Sequence, residues 1–500
     1  MRRWRYLVVA GVFGALVMTT MAQVERVLPR RTKATLEGTE FLIAFMENEV
    51  RVSQAPVVLQ IFLASEFTAN VVVDYPDGAR SRYTISPDNV QVVDVPSQWM
   101  STNSEQTERK AIRITSNVPI VAYALNSRVK STDTYTAIPV KHFGTDYMVV
   151  SRGVDRYRID RTRPDPTLDT TSRQGEFLIV ANEDNTTVTY TTTARTERGL
   201  IPGVPSTVTL QRGQTHLVKS AKGPSGSHDL TGSRVTSDKP IGVFSGHMRT
   251  SVPRSDVNNK DHLCEMLLPT TRWGFEHVTT PFQNTQVGDM IRIVAQHDET
   301  IVTAESASLK SQYRIATAGG WIEFPNINFP VRWTSNRPVM VAQIMMSNQM
   351  EPRAIMDPAM VIVPPVERYV ERAVFRVPEL LPQQDAGLDD YAYYFSVIAE
   401  DAAVRTLTAN GSSLLAIDPG FGTRYVPGTN LCYASFRVEP ATFVLESSTG
   451  KFSGVMYGVG PADSYANIYG MSLDSIVEVE QTPPAYALKV DCGDVEGTIK

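Results

Sequence analysis

An arginine-rich stretch has the residue types of a binding loop. Its sequence, SRGVDRYRIDRTRPDP, covers residues 151–166 and mixes five arginines with three aspartates. The five arginines are Arg152, Arg156, Arg158, Arg161 and Arg163. Guanidinium groups form paired hydrogen bonds with carboxylates and phosphates. We therefore expect this loop to grip an acidic glycan or partner, the alternative being a solvated loop whose charges pair with one another.

A second candidate site follows in the sequence RSDVNNKDHLCE, residues 254–265. Asp256, Asn258 and Asp261 place several oxygen-bearing side chains on a short segment, and such oxygens are the ligands of Ca²⁺. The spacing matches no EF-hand and lacks its glycine, so a solvated polar loop is the alternative. The sequence predicts no cofactor, with calcium at this segment kept as the alternative.

Catalytic motifs do not emerge from the sequence. G-x-S-x-G, the motif of many serine hydrolases, is absent, and the pair Ser245 and His247 lacks a third member. The seven histidines show neither H-x-x-x-H nor H-E-x-x-H spacing, so a zinc site has no support. We predict that the chain is not an enzyme. A carbohydrate hydrolase is the least favoured alternative, because it would need two distant acids that meet in one pocket.

An internal repeat must position any such site. Its first marker is an apolar strand that ends in alanine, followed by a short, mostly acidic turn and a second strand. The marker alanines, Ala64, Ala181, Ala295 and Ala399, are 117, 114 and 104 residues apart. A second marker reads TSNVPIVAYAL (115–125), TSDKPIGVFSG (236–246) and TSNRPVMVAQI (334–344), while the fourth copy has Phe452 in place of proline. We expect a turn at the Ser-Asn or Ser-Asp pair and a strand that starts at the proline.

The markers predict an all-β fold of four repeated β-sandwich-like units in tandem, each of about 100–115 residues. The alternative is a closed propeller-like ring of large blades, although blades usually have about 40–50 residues. The predicted divisions are a signal peptide (1–22), a linker (23–37), repeats at 38–152, 153–282, 283–378 and 379–476, and a linker that opens a further β domain (477–500).

The N-terminus predicts export. Arg2, Arg3 and Arg5 precede a short apolar run, and small residues before Gln23 suit a signal-peptidase cut. The remaining chain has a net charge of −8, which argues against nucleic acid as a partner. No later segment is apolar enough to span a membrane. With only three cysteines, the chain is not a disulfide scaffold.

Two phrases, LTGSRVTSDKPIGVFSGHMRTSVP (230–253) and DHLCEMLLPTTRWGFEHVTTPF (261–282), resemble the N-terminal domain of the IgG Fc-binding protein family. The resemblance extends over about residues 38–475 and implies an exported member of bacterial type. It implies an extracellular binding or adhesive module without catalytic residues, and it identifies no Fc-contacting residue.

Together these observations predict a secreted or cell-surface binding and adhesion module whose partner is an extracellular protein or glycan. A structural spacer in a larger surface protein is the alternative function.

Overall fold

The computed structural model describes residues 35–49, 56–87, 89–128, 130–156, 171–254, 257, 259–283, 285, 287–308, 310–347, 356–380, 391–460, 463–474, 488–491 and 494–497. Strands dominate these residues, which confirms the all-β prediction. Two short α-helices are present, α1 (Asp401–Val404) and α2 (Leu414–Ile417). Single 3₁₀ turns lie at Ser97–Trp99, Val140–His142, Thr270–Arg272, Val366–Arg368 and Pro419–Thr423. The predicted signal peptide lies outside the described residues.

The first group of strands, called the first segment, is built around one long strand. Its members are β1 (Gly38–Ile43), β2 (Val58–Ala64), β3 (Ala69–Asp74), β4 (Arg80–Ile85), β5 (Gln91–Val95), β6 (Thr107–Arg109), β7 (Ile112–Arg128) and β8 (Ser131–Thr136). The first half of β7 pairs with β1 and β3, and its second half pairs with β2 and β8. Because one strand serves both sets of partners, the sheet curls into a half-barrel.

The second segment has the same connectivity. Its strands are β9 (Gly144–Met148), β10 (Asp155–Arg156), β11 (Ser172–Arg173), β12 (Gly175–Ala181), β13 (Thr186–Thr191), β14 (Pro205–Leu210), β15 (Gln214–Lys219), β16 (Arg234–Thr250) and β17 (Asp261–Met266). The long strand β16 pairs with β9 and β13 over one half, and with β12 and β17 over the other. In addition, β6 of the first segment pairs with the edge strand β15, so the two segments share a sheet.

The third segment repeats the pattern around β23. Its strands are β18 (Gly274–Thr279), β19 (Asp289–Ala295), β20 (Thr300–Glu305), β21 (Lys310–Ile315), β22 (Trp321–Ile327), β23 (Val331–Ile344) and β24 (Met360–Ile362). β23 pairs with β18, β20, β19 and β24. These strands correspond to β1, β3, β2 and β8, which pair with β7 in the first segment.

In the fourth segment the long strand is divided in two. Its strands are β25 (Arg372–Arg376), β26 (Ala392–Glu400), β27 (Thr408–Ala409), β28 (Ser412–Ser413), β29 (Leu431–Val438), β30 (Thr442–Glu446), β31 (Phe452–Gly460) and β32 (Asp463–Tyr469). β30 pairs with β25 and β27, whereas β31 pairs with β26 and β32. The division falls where the sequence has Phe452 in place of the marker proline.

The second marker forms a bulge inside a continuous strand rather than the expected turn. The hydroxyl group of its serine donates a hydrogen bond to the backbone carbonyl oxygen two residues later, as Ser237 Oγ does to Lys239 O at 2.6 Å. The next residue accepts a backbone N–H from the neighbouring strand, as Asp238 does from Thr187 at 2.8 Å. The side chains therefore replace ladder hydrogen bonds where the strand bends.

Strand pairing crosses the predicted boundaries. The boundary at residue 152 leaves β9 in the first repeat, but β9 pairs with β16 of the second segment. Likewise β18 pairs with β23, and β25 pairs with β30. The boundaries themselves stay a prediction.

The last strand of each segment, called its closing strand, meets those of other segments. β8 contacts β17 and β32, and β24 also contacts both. The four closing strands thus form a closed cycle of contacts. Among the described residues, the opening strand β1 pairs with β7 of the first segment and not with the fourth, and the choice between tandem units and a propeller-like ring stays a prediction. Every residue of the four closing strands is buried.

Hydrophobic packing also crosses the segments. One cluster combines Phe62 and Tyr123 of the first segment with Phe395 and Tyr469 of the fourth. Phe375 and Tyr469 stack with ring centroids 4.0 Å apart. Shared clusters of this kind fix the segments relative to one another.

Near the C-terminus, β33 (Leu488–Asp491) and β34 (Asp494–Gly497) form an antiparallel hairpin. Cys264 and Cys432 are buried, free thiols. Within the described ranges, no helix has the length and apolarity needed to cross a membrane.

Candidate functional site at the loop end

In every segment one core strand begins beside the turn that leads into the closing strand. These core strands are β2, β12, β19 and β26. In the first segment, Val58 at the start of β2 pairs with Ser127, and β7 turns into β8 between Arg128 and Ser131. The starts of β12 and β17 lie in the same way beside the end of β16. The same holds for β19 and β24 with β23, and for β26 and β32 with β31. Because the closing strands contact one another, these connections emerge at one common end, called the loop end.

Four aspartates lie where the closing strands begin. They are Asp133, Asp261, Asp357 and Asp463, and each is at most 1% exposed. The pKa of Asp261 is raised by the charges of Asp133, Asp357 and Asp463, so the four carboxyl groups lie in one region. We call this set the aspartate cluster.

Backbone N–H groups hold the aspartate cluster. Asp261 accepts from its neighbour His262 at 2.9 Å, from Ser464 of the fourth segment at 3.3 Å, and from Thr132 of the first. Asp133 accepts from Cys264 of the second segment at 2.9 Å. The closing strands are therefore tied together by carboxyl groups, in positions where no sheet ladder joins them.

Burial raises the pKa values of carboxyl groups in this region. It raises the pKa of Asp261 well above its usual value, and the neighbouring acids Asp463, Asp357 and Asp133 raise the pKa further. The pKa values of Asp133 and Glu265 are also raised, mainly by burial. Each of the three carboxyl groups therefore gives up its proton less readily than in water.

Two buried ion pairs brace the loop end. Lys260 Nζ lies 2.6 Å from Asp155 Oδ1, with both side chains nearly excluded from solvent. Arg173 Nε donates to Glu49 at 2.6 Å, and Arg249 lies 3.5 Å from the same carboxylate. Glu49 belongs to the first segment and both arginines to the second, so this pair joins two segments.

The predicted arginine loop is only partly described. Arg152 is 8% exposed and lies 3.5 Å from Glu323 of the third segment, while its second nitrogen donates to Pro253 O at 2.7 Å. Arg156 is exposed. Arg158, Arg161 and Arg163 lie outside the described residues. Of the two placed arginines, only Arg156 is available to a ligand, and the binding role stays a prediction.

The predicted calcium ligands are also divided. Asp256 and Asn258 lie outside the described residues, whereas Asp261 belongs to the buried aspartate cluster. In the part of the chain that the structure describes, no group of three or more His, Cys, Asp or Glu side chains has an arrangement that could hold a metal ion. The calcium site stays a prediction.

The pair Ser245 and His247 is structural. Ser245 donates to Val150 O at 2.6 Å, and His247 lies 3.1 Å from Gly153 O. Burial lowers the pKa of His247 to about 3, so the imidazole is neutral in ordinary buffers. Between the third and fourth segments, a cavity lined by residues such as Phe282, Gln343 and Tyr369 has a volume of about 20 Å³, enough for one water molecule.

The sequence contained a signal for the aspartate cluster that the repeat markers missed. Asp261 and Asp357 each precede by eight residues a proline that leads into a 3₁₀ turn, Pro269 and Pro365 respectively. Asp463 precedes Met471 by the same distance. A short acidic side chain at the start of a strand usually indicates a surface turn, and only the contacts among closing strands show that these are buried.

Fold and site together define an all-β protein that presents its connections from one end of a framework of curled sheets. The chain belongs to the IgGFc-binding protein family, because the model of that family matches residues 133–458, more than half of the chain. Over 434 residues it is 25% identical to the IgGFc-binding protein of Homo sapiens, which covers 85% of this chain.

The aligned part spans about 7% of that human relative's length. These comparisons confirm the family resemblance, while the bacterial type stays a prediction.

Proposed function

We propose that the chain is an exported, non-catalytic binding or adhesion module that recognises an extracellular protein or glycan through its loop end. The convergence of strand ends from all four segments carries this proposal, because loops on a fixed β framework commonly hold recognition residues. Family membership supports it. Export, to the medium or the cell surface, rests on the signal-like sequence of residues 1–22.

Positive charge supports an acidic ligand. Lys130, Arg156 and Arg254 are exposed at the loop end. The predicted loop adds Arg158, Arg161 and Arg163 in sequence, and guanidinium groups favour carboxylates and other oxyanions. The name of the human relative makes the Fc region of IgG one protein to test.

An array of extracellular proteins, glycans and IgG Fc, probed with purified residues 23–500, tests the proposal. We expect saturable binding that Arg156→Ala weakens several-fold. Arg314→Ala is the matched control, because Arg314 lies on β21, away from the loop end, and is also exposed, with Glu299 as its ion-pair partner. A folded protein that binds nothing on the array, or equal effects of the two variants, contradicts the proposal.

The calcium site is tested in the same assay. If Asp256, Asn258 and Asp261 bind Ca²⁺, a chelator will abolish ligand binding and added Ca²⁺ will restore it. Ligand binding that the chelator leaves unchanged contradicts the predicted calcium site.

A structural spacer is the second candidate, and the shared hydrophobic cluster favours it. Because Phe62 and Phe395 belong to one cluster, the first and fourth segments should resist separation. In single-molecule pulling, a spacer should unfold at high force with these segments lost together. Separate, low-force unfolding of the four segments contradicts that role.

A further inference from the structure

Glu176 carries a fully buried carboxyl group. Glu176 lies on β12 between β15 and β16, and it is 0% exposed. Neither carboxyl oxygen accepts a hydrogen bond of normal geometry. An ionised carboxylate in such a place loses its hydration and gains little in return.

One lysine faces this carboxyl group but is engaged elsewhere. Lys219 of β15 stands opposite Glu176 in the sheet register. Its Nζ lies 2.8 Å from Glu47 and 3.2 Å from Glu197. On the other side, β16 places Gly246 opposite Glu176, and β17 places the thiol of Cys264 next to Gly246. Burial raises the pKa of Cys264 and the charge of Glu176 raises it further, so this side adds no cation. Three carboxyl groups therefore surround one buried ammonium. A second cation, Lys222, is largely exposed; its Nζ lies 3.7 Å from Glu197, and its charge also lowers the pKa of Glu47.

The acidity of the group follows from this arrangement. Burial raises the pKa of Glu176 well above its usual value, the charge of Glu47 raises it further, and Lys219 acts in the opposite direction. The backbone N–H of Glu47 also lowers the pKa, but less than burial raises it. The pKa of Glu47 is itself raised, mainly by burial.

Glu47 connects this carboxyl group to the loop end. The two residues after it, Asn48 and Glu49, are buried there. Asn48 donates to Ser131 O at 2.9 Å, at the start of a closing strand, and Glu49 pairs with Arg173. Any displacement of Glu47 would therefore disturb contacts that brace the loop end.

We propose that Glu176 is a pH-sensitive latch: its protonated carboxyl keeps residues 46–49 packed on the second segment, and its ionisation repels Glu47 and loosens them. The pH-dependent opening of residues 46–49 needs no ligand. Its consequence for ligand recognition rests on the proposed function. Since the folded-state pKa of Glu176 is raised, its contribution to the closed form is complete below the ordinary pKa of glutamate. The contribution is lost as the pH rises through the folded-state value.

Hydrogen exchange of the peptide that contains residues 46–49 tests the latch on the full chain, with rates corrected for intrinsic exchange at each pH. In the wild type, we expect the opening equilibrium to rise about tenfold per pH unit between the two pKa values and then to level off. Glu176→Gln should remove the rise. Glu183→Gln, on an exposed turn, is the matched control and should keep it.

A flat wild-type profile, or an unchanged rise in Glu176→Gln, overturns the latch. If Glu176→Gln does not fold, Glu47→Gln serves instead: without the facing charge, the opening equilibrium should level off at a lower pH. A flat profile together with normal array binding refutes the latch alone. A pH-dependent profile in a protein that binds nothing refutes the proposed function alone.

Discussion

Lys260 Nζ lies 2.6 Å from Asp155 Oδ1, and the two side chains are 4% and 0% exposed. The other oxygen of Asp155 accepts from the backbone N–H of Ser251 at 2.9 Å. Burial lowers the pKa of Lys260, and the charge of Asp155 offsets part of that effect. The pair joins β10 to the start of β17 and so fixes two connections at the loop end.

Removing both partners of this pair should cost less than the sum of the two single removals. Lys260→Met leaves a buried carboxylate without its cation and should lower the free energy of unfolding by about 3–5 kcal/mol. The double variant Lys260→Met with Asp155→Leu should lose clearly less than the sum of the single variants. Urea unfolding of the four proteins measures the coupling, and additive losses would contradict a paired role.

The contact between Gly38 and Pro139 predicts a steric effect. A Cβ added at Gly38 would lie 2.5 Å from Pro139 Cβ, in a rigid ring that cannot turn away. Gly38→Ala should therefore lower stability by about 1–3 kcal/mol. At Gly422 the nearest atom to an added Cβ is 3.5 Å away, so Gly422→Ala is the control. Equal thermal midpoints for the two variants would contradict the close contact.

The bulge in β23 depends on a side-chain acceptor. Asn336 Oδ1 accepts the backbone N–H of Ile301 at 2.7 Å. Asn336→Ala should cost about 0.5–1.5 kcal/mol in urea unfolding. Asn336→Asp keeps the acceptor, as Asp238 does in the second segment, and should be close to wild type. A loss as large as that of the alanine variant would show that the acceptor is not the cause.

These bulges show how far the sequence predicted the fold. Ala64, Ala181, Ala295 and Ala399 are all 0% exposed, as residues at the ends of core strands should be. Alternation and turn residues are local signals, so they predicted the strands. The Ser-Asn and Ser-Asp pairs usually form turns. Here they form bulges, because other strands pair with the long strand both before and after them.

The site was less predictable because its contacts are long-range. Asp261 looked like a calcium ligand on a polar loop, yet its carboxyl group binds backbone N–H groups of the first and fourth segments. Arg152 looked like part of a binding loop, yet it lies against Glu323 of the third segment. Neither partner is near in sequence, and neither follows from periodicity.

Buried histidines predict acid sensitivity. His277 is 1% exposed, and burial lowers its pKa to about 3. Since this folded-state pKa lies below the unfolded value of about 6.5, its contribution to stability is present above pH 6.5. It should be lost as the pH falls toward 3, at about 1.4 kcal/mol per pH unit. In thermal unfolding, His277→Gln should show a smaller loss between pH 6.5 and 4, and an identical pH profile would contradict the assignment.

Recognition at the loop end can be tested by a hydrogen-exchange footprint of an array ligand bound to the protein. We expect protection at the described ends of the strands, around residues 126–128, 130–131 and 249–254. The acidic turn at residues 182–185, far along β12 from its start, should exchange at an unchanged rate. Protection confined to that turn, with the loop end unaffected, would contradict the account.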